Sequence, residues 1–325
     1  MTSAIRTEAA LFCDAMRVRG HSKASLQHKT LALERFAAWC AERDVMHPVD
    51  VTRPLMERYQ RFLFEYRRND DTGLTLATQV NHLVVLRLFF RWLVRQGRML
   101  HNPAADLDLP RLPQHLPSAV LTAEETETIL AVPDVSTWVG LRNRAMLEVL
   151  YSTAVRRSEL THVQVQDLDF ERGTMMVRQG KGRKDRVVPL GERAKSWVKR
   201  YLDDARPHLV TGEDPGWLFV SERGGGQLFK GWATRLVRRT IEASGVDKPG
   251  ACHLFRHTAA TLMLEHGADI RCIQHILGHA KLSTTAIYTR VAIGRLVEVH
   301  AATHPGARLQ EEEENGQAGG DKDPA

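Results

Sequence analysis

The sequence holds no apolar run near the ~20 residues that a bilayer crossing needs, so a membrane span is not expected. Its first residues lack the apolar core of a secretion signal, because Ile5-Arg-Thr-Glu8 places charge there. Cysteine is scarce. The four present, Cys13, Cys40, Cys252 and Cys272, form no Cys-x-x-Cys pair, which fits free thiols in a reducing cytoplasm, the expected location. There is no internal repeat and no His-Glu-x-x-His motif. Gly180-Lys181-Gly182 lies between strand-like segments and so lacks the strand–loop–helix setting of a phosphate-binding loop. What is present is a chain of 325 residues, 43% hydrophobic, long enough for two domains with a real core and too apolar for global disorder.

Charge is unevenly placed. Lys and Arg number 45 against 39 Asp and Glu, a net of +6. Residues 309–325 carry Glu311 to Glu314, Asp321 and Asp323 against Lys322 alone, so the body of the chain is more basic than the net figure. A basic body suits a polyanionic partner. The acidic end, from about residue 305, has no apolar period and is read as a disordered tail.

Residues 1–100 read as a helical bundle. Helical spacing of apolar residues covers Ala9 to Val18, Leu26 to Cys40, Leu55 to Tyr66 and Leu76 to Trp92. Ser22 or Ser25 caps the second helix, Pro54 lies in the first turn of the third, and Gly97 ends the fourth. Arg58, Arg61, Arg67, Arg68, Arg87, Arg91 and Arg95 could contact a polyanion or merely be solvated. Pro103, Pro110, Pro113 and Pro117 mark 101–117 as a linker. A second domain over 118–304 opens at Thr122-Ala-Glu-Glu125, a capping-box pattern. It continues as a buried helix over 139–151, then a hairpin of Thr174–Val177 and Arg186–Leu190 with a basic tip at 180–185. Helices follow over 192–205, 230–244 and from His253 onward. The fold class is therefore mainly α with a small β-sheet.

The chemistry concentrates in His253–Tyr288, where two imidazoles, a guanidinium and a phenol fall in one short stretch. Arginine and histidine suit a phosphate oxyanion, and a phenol can act as an oxygen nucleophile. Upstream stands Tyr151-Ser-Thr-Ala-Val-Arg156-Arg157-Ser158-Glu159-Leu160. Taken with Gly180-Lys181-Gly182, His253-x-x-Arg256-His257, Leu277-Gly278-His279 and Tyr288, it resembles the tyrosine recombinases of the phage-integrase family over roughly residues 5–305. The compact length, short linker and ending from Tyr288 to Ala307 resemble the Xer-like branch.

The resemblance implies an N-terminal helical (SAM-like) core-binding domain and an α+β catalytic domain that together clamp duplex DNA. It implies that Arg156 and Arg256 hold the scissile phosphate and that Tyr288 attacks it, giving a 3′-phosphotyrosyl link and a free 5′-hydroxyl. His253 is the implied acid/base partner, Lys181 the general acid for the departing oxygen, and His279 a donor to the phosphate. Glu159, one helical turn after Arg156, is expected to orient its guanidinium. The Arg-x-x-Glu spacing selects Arg156 over Arg157. His257 is expected to be structural or hydrogen-bonding. No cofactor is expected, because the covalent link conserves the bond energy. Four protomers, alike or of two kinds, with or without an accessory protein, would exchange strands through a Holliday junction. A helix over 291–302 is expected to pack on a neighbouring protomer.

One departure from the family pattern is Thr153-Ala154 in place of Thr-Gly. Alanine is costly there if the position needs positive φ and harmless if it is helical. Three other readings compete. His253/His257 and His275/His279 are i,i+4 pairs near Cys252 and Cys272 and could hold zinc, but Arg256 would set a permanent cation beside the metal. A type IB topoisomerase would share the chemistry without strand exchange, and a non-catalytic DNA-organising protein would share the fold. Taken singly, each residue has a plainer use: Tyr288 in a core, His253 at a surface, Lys181 in a solvated turn.

Overall fold

Four helices, α1 (Ala4–Val18), α2 (Lys23–Ala41), α3 (Arg53–Glu65) and α4 (Leu76–Arg95), form the first unit of the computed structural model. The structure describes residues 3–113, 119–178 and 185–290, and the chain divides into two compact units, Met1–Gln114 and His115–Ala325. Side-chain oxygens fix the helix starts. Ser22 Oγ, not Ser25, accepts from a first-turn amide of α2, and Thr75 Oγ1 does so for α4.

Apolar faces at helical spacing meet in an aromatic core of Phe12, Phe36, Trp39, Tyr59, Phe89 and Phe90. Phe36 and Tyr59 meet edge-on at 4.9 Å between ring centroids, the arrangement that ring quadrupoles favour.

Two expectations for this unit need correction. Residues 101–113 are not all linker, since Ala104 and Leu107 are buried in the first core. Arg87, named above among candidate polyanion contacts, is turned inward, with Nε donating to Ala104 O at 3.0 Å and Nη2 to Leu107 O at 2.6 Å. Those carbonyls lie in a Pro-punctuated segment without a regular ladder, so a guanidinium satisfies them. Arg67 is exposed but also donates to the carbonyls of Phe64, Glu65 and Tyr66 at the end of α3. Arg58, Arg61, Arg68, Arg91 and Arg95 are exposed.

In the second unit, α5 (Ala123–Ala131) starts with the full capping box, Thr122 and Glu125 exchanging side-chain and backbone bonds. The next helix, α6 (Trp138–Thr153), is its central rod. Leu141, Ala145, Met146, Leu147, Val149 and Leu150 are buried on it. Its buried Glu148 accepts from Arg144 at 2.8 Å and Arg193 at 2.9 Å, the pairing a buried carboxylate requires. Gly140 allows the chain to enter α6 tightly, because a Cβ there would stand 1.8 Å from Asp134 O. Gly140→Ala is therefore expected to destabilise the second unit by about 1–3 kcal/mol or more, read as a lower melting temperature in thermal unfolding.

After α7 (Arg157–Leu160) come β1 (Leu168–Asp169), β2 (Thr174–Val177) and β3 (Arg186–Pro189). They form one antiparallel sheet in that order, with Val177 opposite Arg186. The strand β1 gives no sign of itself in the sequence, since two residues are too few to show alternation. Then follow α8 (Glu192–Asp204), α9 (Arg206–Leu209), α10 (Lys230–Ala243), α11 (Cys252–Glu265), α12 (Ile270–Leu277) and α13 (Leu282–Thr285). A 3-10 turn over Tyr288–Arg290 follows. The basic hairpin tip with Lys181, the segment 291–302 and the acidic tail lie outside the described residues. No described helix is long and apolar enough to cross a membrane.

Candidate active site

The end of α6 sets the first part of the site. Ala154 caps that helix in the left-handed region, φ 51° and ψ 26°, so the alanine is the costly case, about 1–2 kcal/mol above glycine. This turn aims the Ala154 carbonyl at Arg256 Nη1, 2.6 Å away. It also releases the chain into extended geometry at Arg156, just before α7.

Arg156 and Glu159 then join as the spacing predicts, Nη1 to Oε1 at 2.8 Å, while Glu159 Oε2 accepts from the Arg156 amide at 2.8 Å. Arg156 Nη2 donates to Gly278 O at 3.1 Å. A second guanidinium, which the motifs do not include, shares the same carboxylate. Arg186, the first residue of β3, donates from Nη1 and Nη2 to the two Glu159 oxygens at 2.9 and 2.7 Å, and from Nε to Ile276 O at 2.9 Å. One signal for it is present in the sequence. Arg186 shares a strand face with buried Val188, and a cation on the inward face of a strand needs a partner. Burial raises the Glu159 pKa, but the hydrogen bonds from Arg186 and from the Arg156 amide, with the Arg186 charge, outweigh it and hold it at about 2.

Helix α11 carries the next three residues. Arg256 is 3% exposed and donates to Ala154 O, to Leu277 O at 2.7 Å and to His279 Nε2 at 3.0 Å. Burial first, then the Arg156 charge, lowers its pKa to about 10, so it remains a cation at neutral pH. A guanidinium only donates, so His279 Nε2 accepts; Nδ1 then carries the ring proton and donates to Thr285 Oγ1 at 2.9 Å. Gly278, at φ 62°, makes the turn that delivers His279.

Tyr288 is 2% exposed, among Ala154, Ala259, Ala260, Ile273 and Leu277. Burial raises its pKa against the lowering pull of Arg256 and Arg156, so the phenol is protonated at neutral pH. Its hydroxyl lies 3.1 Å from His257 Nδ1. The imidazole beside the phenol is thus His257, expected to be structural or hydrogen-bonding, and not His253. The His253 ring is 6.4 Å from that of His257 and is exposed. Both histidines have lowered pKa values. Desolvation is the largest cause in each, followed for His253 by Arg256, Arg157 and Arg156, and for His257 by His253 and Arg256. His257 is therefore neutral at pH 7 and able to accept a proton.

The structure brings Arg156, Glu159, Arg256, His279, His257 and Tyr288 together, adds Arg186 and Thr285, and keeps His253 at the edge. Lys181 lies outside the described residues. Arg157 is occupied elsewhere, donating to Thr234 Oγ1 at 2.6 Å. Among the described residues no three His, Cys, Asp or Glu form a group able to hold a metal ion. His257 and His279, one from each candidate zinc pair, are engaged by Tyr288 and by Arg256 with Thr285. Two guanidiniums, Arg156 and Arg186, share the one Glu159 carboxylate, and Arg256 has no carboxylate hydrogen-bonded to it, only two carbonyls and His279, which leaves excess positive charge in a low-dielectric site beside a phenol. Such an arrangement favours an anion, and most of all one gaining charge in a transition state.

Comparison with known proteins agrees with this chemistry. Residues 119–295 match the phage integrase family. The chain is 49% identical over 300 residues to Tyrosine recombinase XerC 2 of Ralstonia nicotianae, covering 92% of this chain and 86% of that protein. It is 37% identical over 273 residues to Tyrosine recombinase XerD of Pseudomonas putida, covering 84% and 88%. Among solved structures, XerA recombinase aligns at 28% identity with a TM-score of 0.52, covering 92% of this chain and 99% of that one. The XerH site-specific recombinase bound to palindromic difH substrate aligns at 24% identity and a TM-score of 0.70, covering 91% and 84%, a likeness of fold.

Proposed function

The chain belongs to the phage integrase family as a tyrosine recombinase of the Xer-like branch, and we propose how its own residues cut and rejoin double-stranded DNA at a specific site. Tyr288 Oη attacks the scissile phosphorus, the P–O5′ bond breaks, and a 3′-phosphotyrosyl ester forms. The phenol proton passes to His257 Nδ1. Lys181 supplies the proton taken up by the leaving 5′-oxygen. Arg156 and Arg256 hold the non-bridging oxygens, where negative charge grows. As the Arg256 guanidinium turns to the phosphate, His279 takes the tautomer with its proton on Nε2 and donates from there to a non-bridging oxygen, Nδ1 then accepting from Thr285 Oγ1, and His253 serves as a further acid/base group at the open edge. Rejoining reverses the steps, and the ester carries the bond energy, so no nucleotide is consumed.

The observation that carries this reading is the pair of Arg156 and Arg186 on the one carboxylate of Glu159, with Arg256 on the Ala154 carbonyl, next to a protonated phenol hydrogen-bonded to a neutral imidazole. Four protomers, alike or in two kinds, hold two sites and exchange strands through a Holliday junction in the cytoplasm, with residues 291–302 joining neighbours. A pool of nicked duplexes with randomised sequence tests the chemistry by covalent capture on a denaturing gel. The wild type is expected to retain a set of related sequences and Tyr288→Phe none. No retained DNA from the wild type, or equal retention by Tyr288→Phe, refutes the reading.

A further inference from the structure

Arg186 is 7% exposed at its side chain, too enclosed to bind a DNA phosphate itself. All three of its nitrogens are engaged by the protein, two by Glu159 and one by Ile276 O. Glu159 thereby receives four donors, two on each oxygen: the Arg156 and Arg186 Nη1 groups on Oε1, and the Arg156 amide and Arg186 Nη2 on Oε2. A carboxylate serving one arginine neutralises it, whereas one divided between two leaves each only half compensated. Arg156 is thus held in place while keeping charge for an incoming anion.

The same side chain organises the turn before His279. A Cβ on Gly278 would come within 3.0 Å of Arg186 Cδ and Nε, so that turn closes directly over the guanidinium, and the Gly278 carbonyl then accepts from Arg156. Arg186 is also the first residue of β3, the returning strand of the β2–β3 hairpin, opposite Val177.

We propose that Arg186 is a positioning residue for the phosphate clamp: through Glu159 it fixes the Arg156 guanidinium toward the scissile phosphate, and through Ile276 it ties the hairpin's returning strand to the turn that delivers His279. This rests on the proposed phosphodiester chemistry. It assigns Arg186 a role exerted on Arg156 and not on DNA.

The test uses the full chain and nicked duplexes recovered by covalent capture on the wild type, with single-turnover cleavage as the readout. Arg186→Met is expected to slow cleavage roughly 10–100-fold, and to add almost nothing on top of Arg156→Ala, because residues acting as one unit are not additive. With a methylphosphonate at the scissile position, which lacks one anionic oxygen, the Arg186→Met deficit should shrink with that of Arg156→Ala. Arg186→Lys, which keeps the charge and loses the fork, should recover part of the rate; if Arg186→Met does not fold, Arg186→Lys carries the same comparisons. A deficit that multiplies with Arg156→Ala and is equal on both substrates, or a wild-type rate in Arg186→Met, overturns the proposal while leaving the chemistry standing. Absence of any adduct from the wild type overturns both.

Discussion

Arg256→Ala is expected to lose both cleavage and several kcal/mol of stability. The guanidinium supplies the donors for the Ala154 and Leu277 carbonyls, where α11 meets the ends of α6 and α12. Removing it strands two buried acceptors, each at about 1–3 kcal/mol, and opens a cavity at a site only 3% exposed. It also withdraws one arm of the clamp, and losing a donor aimed at transition-state charge slows such reactions on the order of 100–1,000-fold. Arg256→Lys is expected to repair little, since one ammonium cannot reach two carbonyls and a phosphate in the guanidinium plane. Urea unfolding and single-turnover cleavage measure the two effects separately. A variant with wild-type stability would show that the carbonyls find other partners.

Glu159→Gln is expected to be nearly as damaging, although it alters no shape. The amide oxygen can accept from two of the four donors, but its NH2 faces the other two, one from each arginine, and the buried Arg186 loses its counter-charge. Breaking a buried pair from one side costs about 3–5 kcal/mol. The pKa gives a similar figure: a fall from 4.5 to about 2 corresponds to roughly 3 kcal/mol of folding stability. The sign follows from that lowered value. The contribution is fully present above pH 4.5 and is lost as pH falls through 4.5 toward 2. Denaturation at pH 7 should therefore separate wild type from Glu159→Gln widely, and the gap should narrow steadily below pH 4.5. A gap that stays constant down to pH 2.5 would mean that the carboxylate is not the source.

Most of the helices are legible in the sequence because each displays a local period and a local boundary, such as the start at Ser22 or Thr122 or the stop at Gly97. The Thr174–Val177 and Arg186–Pro189 strands are legible for the same reason, flanking a glycine-rich turn. The order of Arg156, His253, Arg256, His279 and Tyr288 is legible as a resemblance because each lies in a short recognisable motif. What the sequence hides is partner choice between distant positions. Glu159 and Arg186 are 27 residues apart and Arg156 and Gly278 are 122 apart, and no periodicity reports such pairings. His253 and His257 share a helix face by spacing, but the path of the chain from His266 to Tyr288 decides that His257 meets the phenol. Ala154 conceals its left-handed backbone because alanine reads as a helix former. Arg87 looks like a surface cation because a sequence does not show that carbonyls at Ala104 and Leu107 need a donor.

In the proposed reaction Tyr288 becomes covalently joined to DNA. The most direct test is peptide mapping of the captured adduct. Trypsin releases Leu282–Arg290, a peptide in which Tyr288 competes with the hydroxyls of Ser283, Thr284, Thr285 and Thr289. After nuclease trimming, fragmentation mass spectrometry should place a nucleotide 3′-phosphate on Tyr288. A nucleotide on any of those hydroxyls, or on any other peptide, would contradict the assignment.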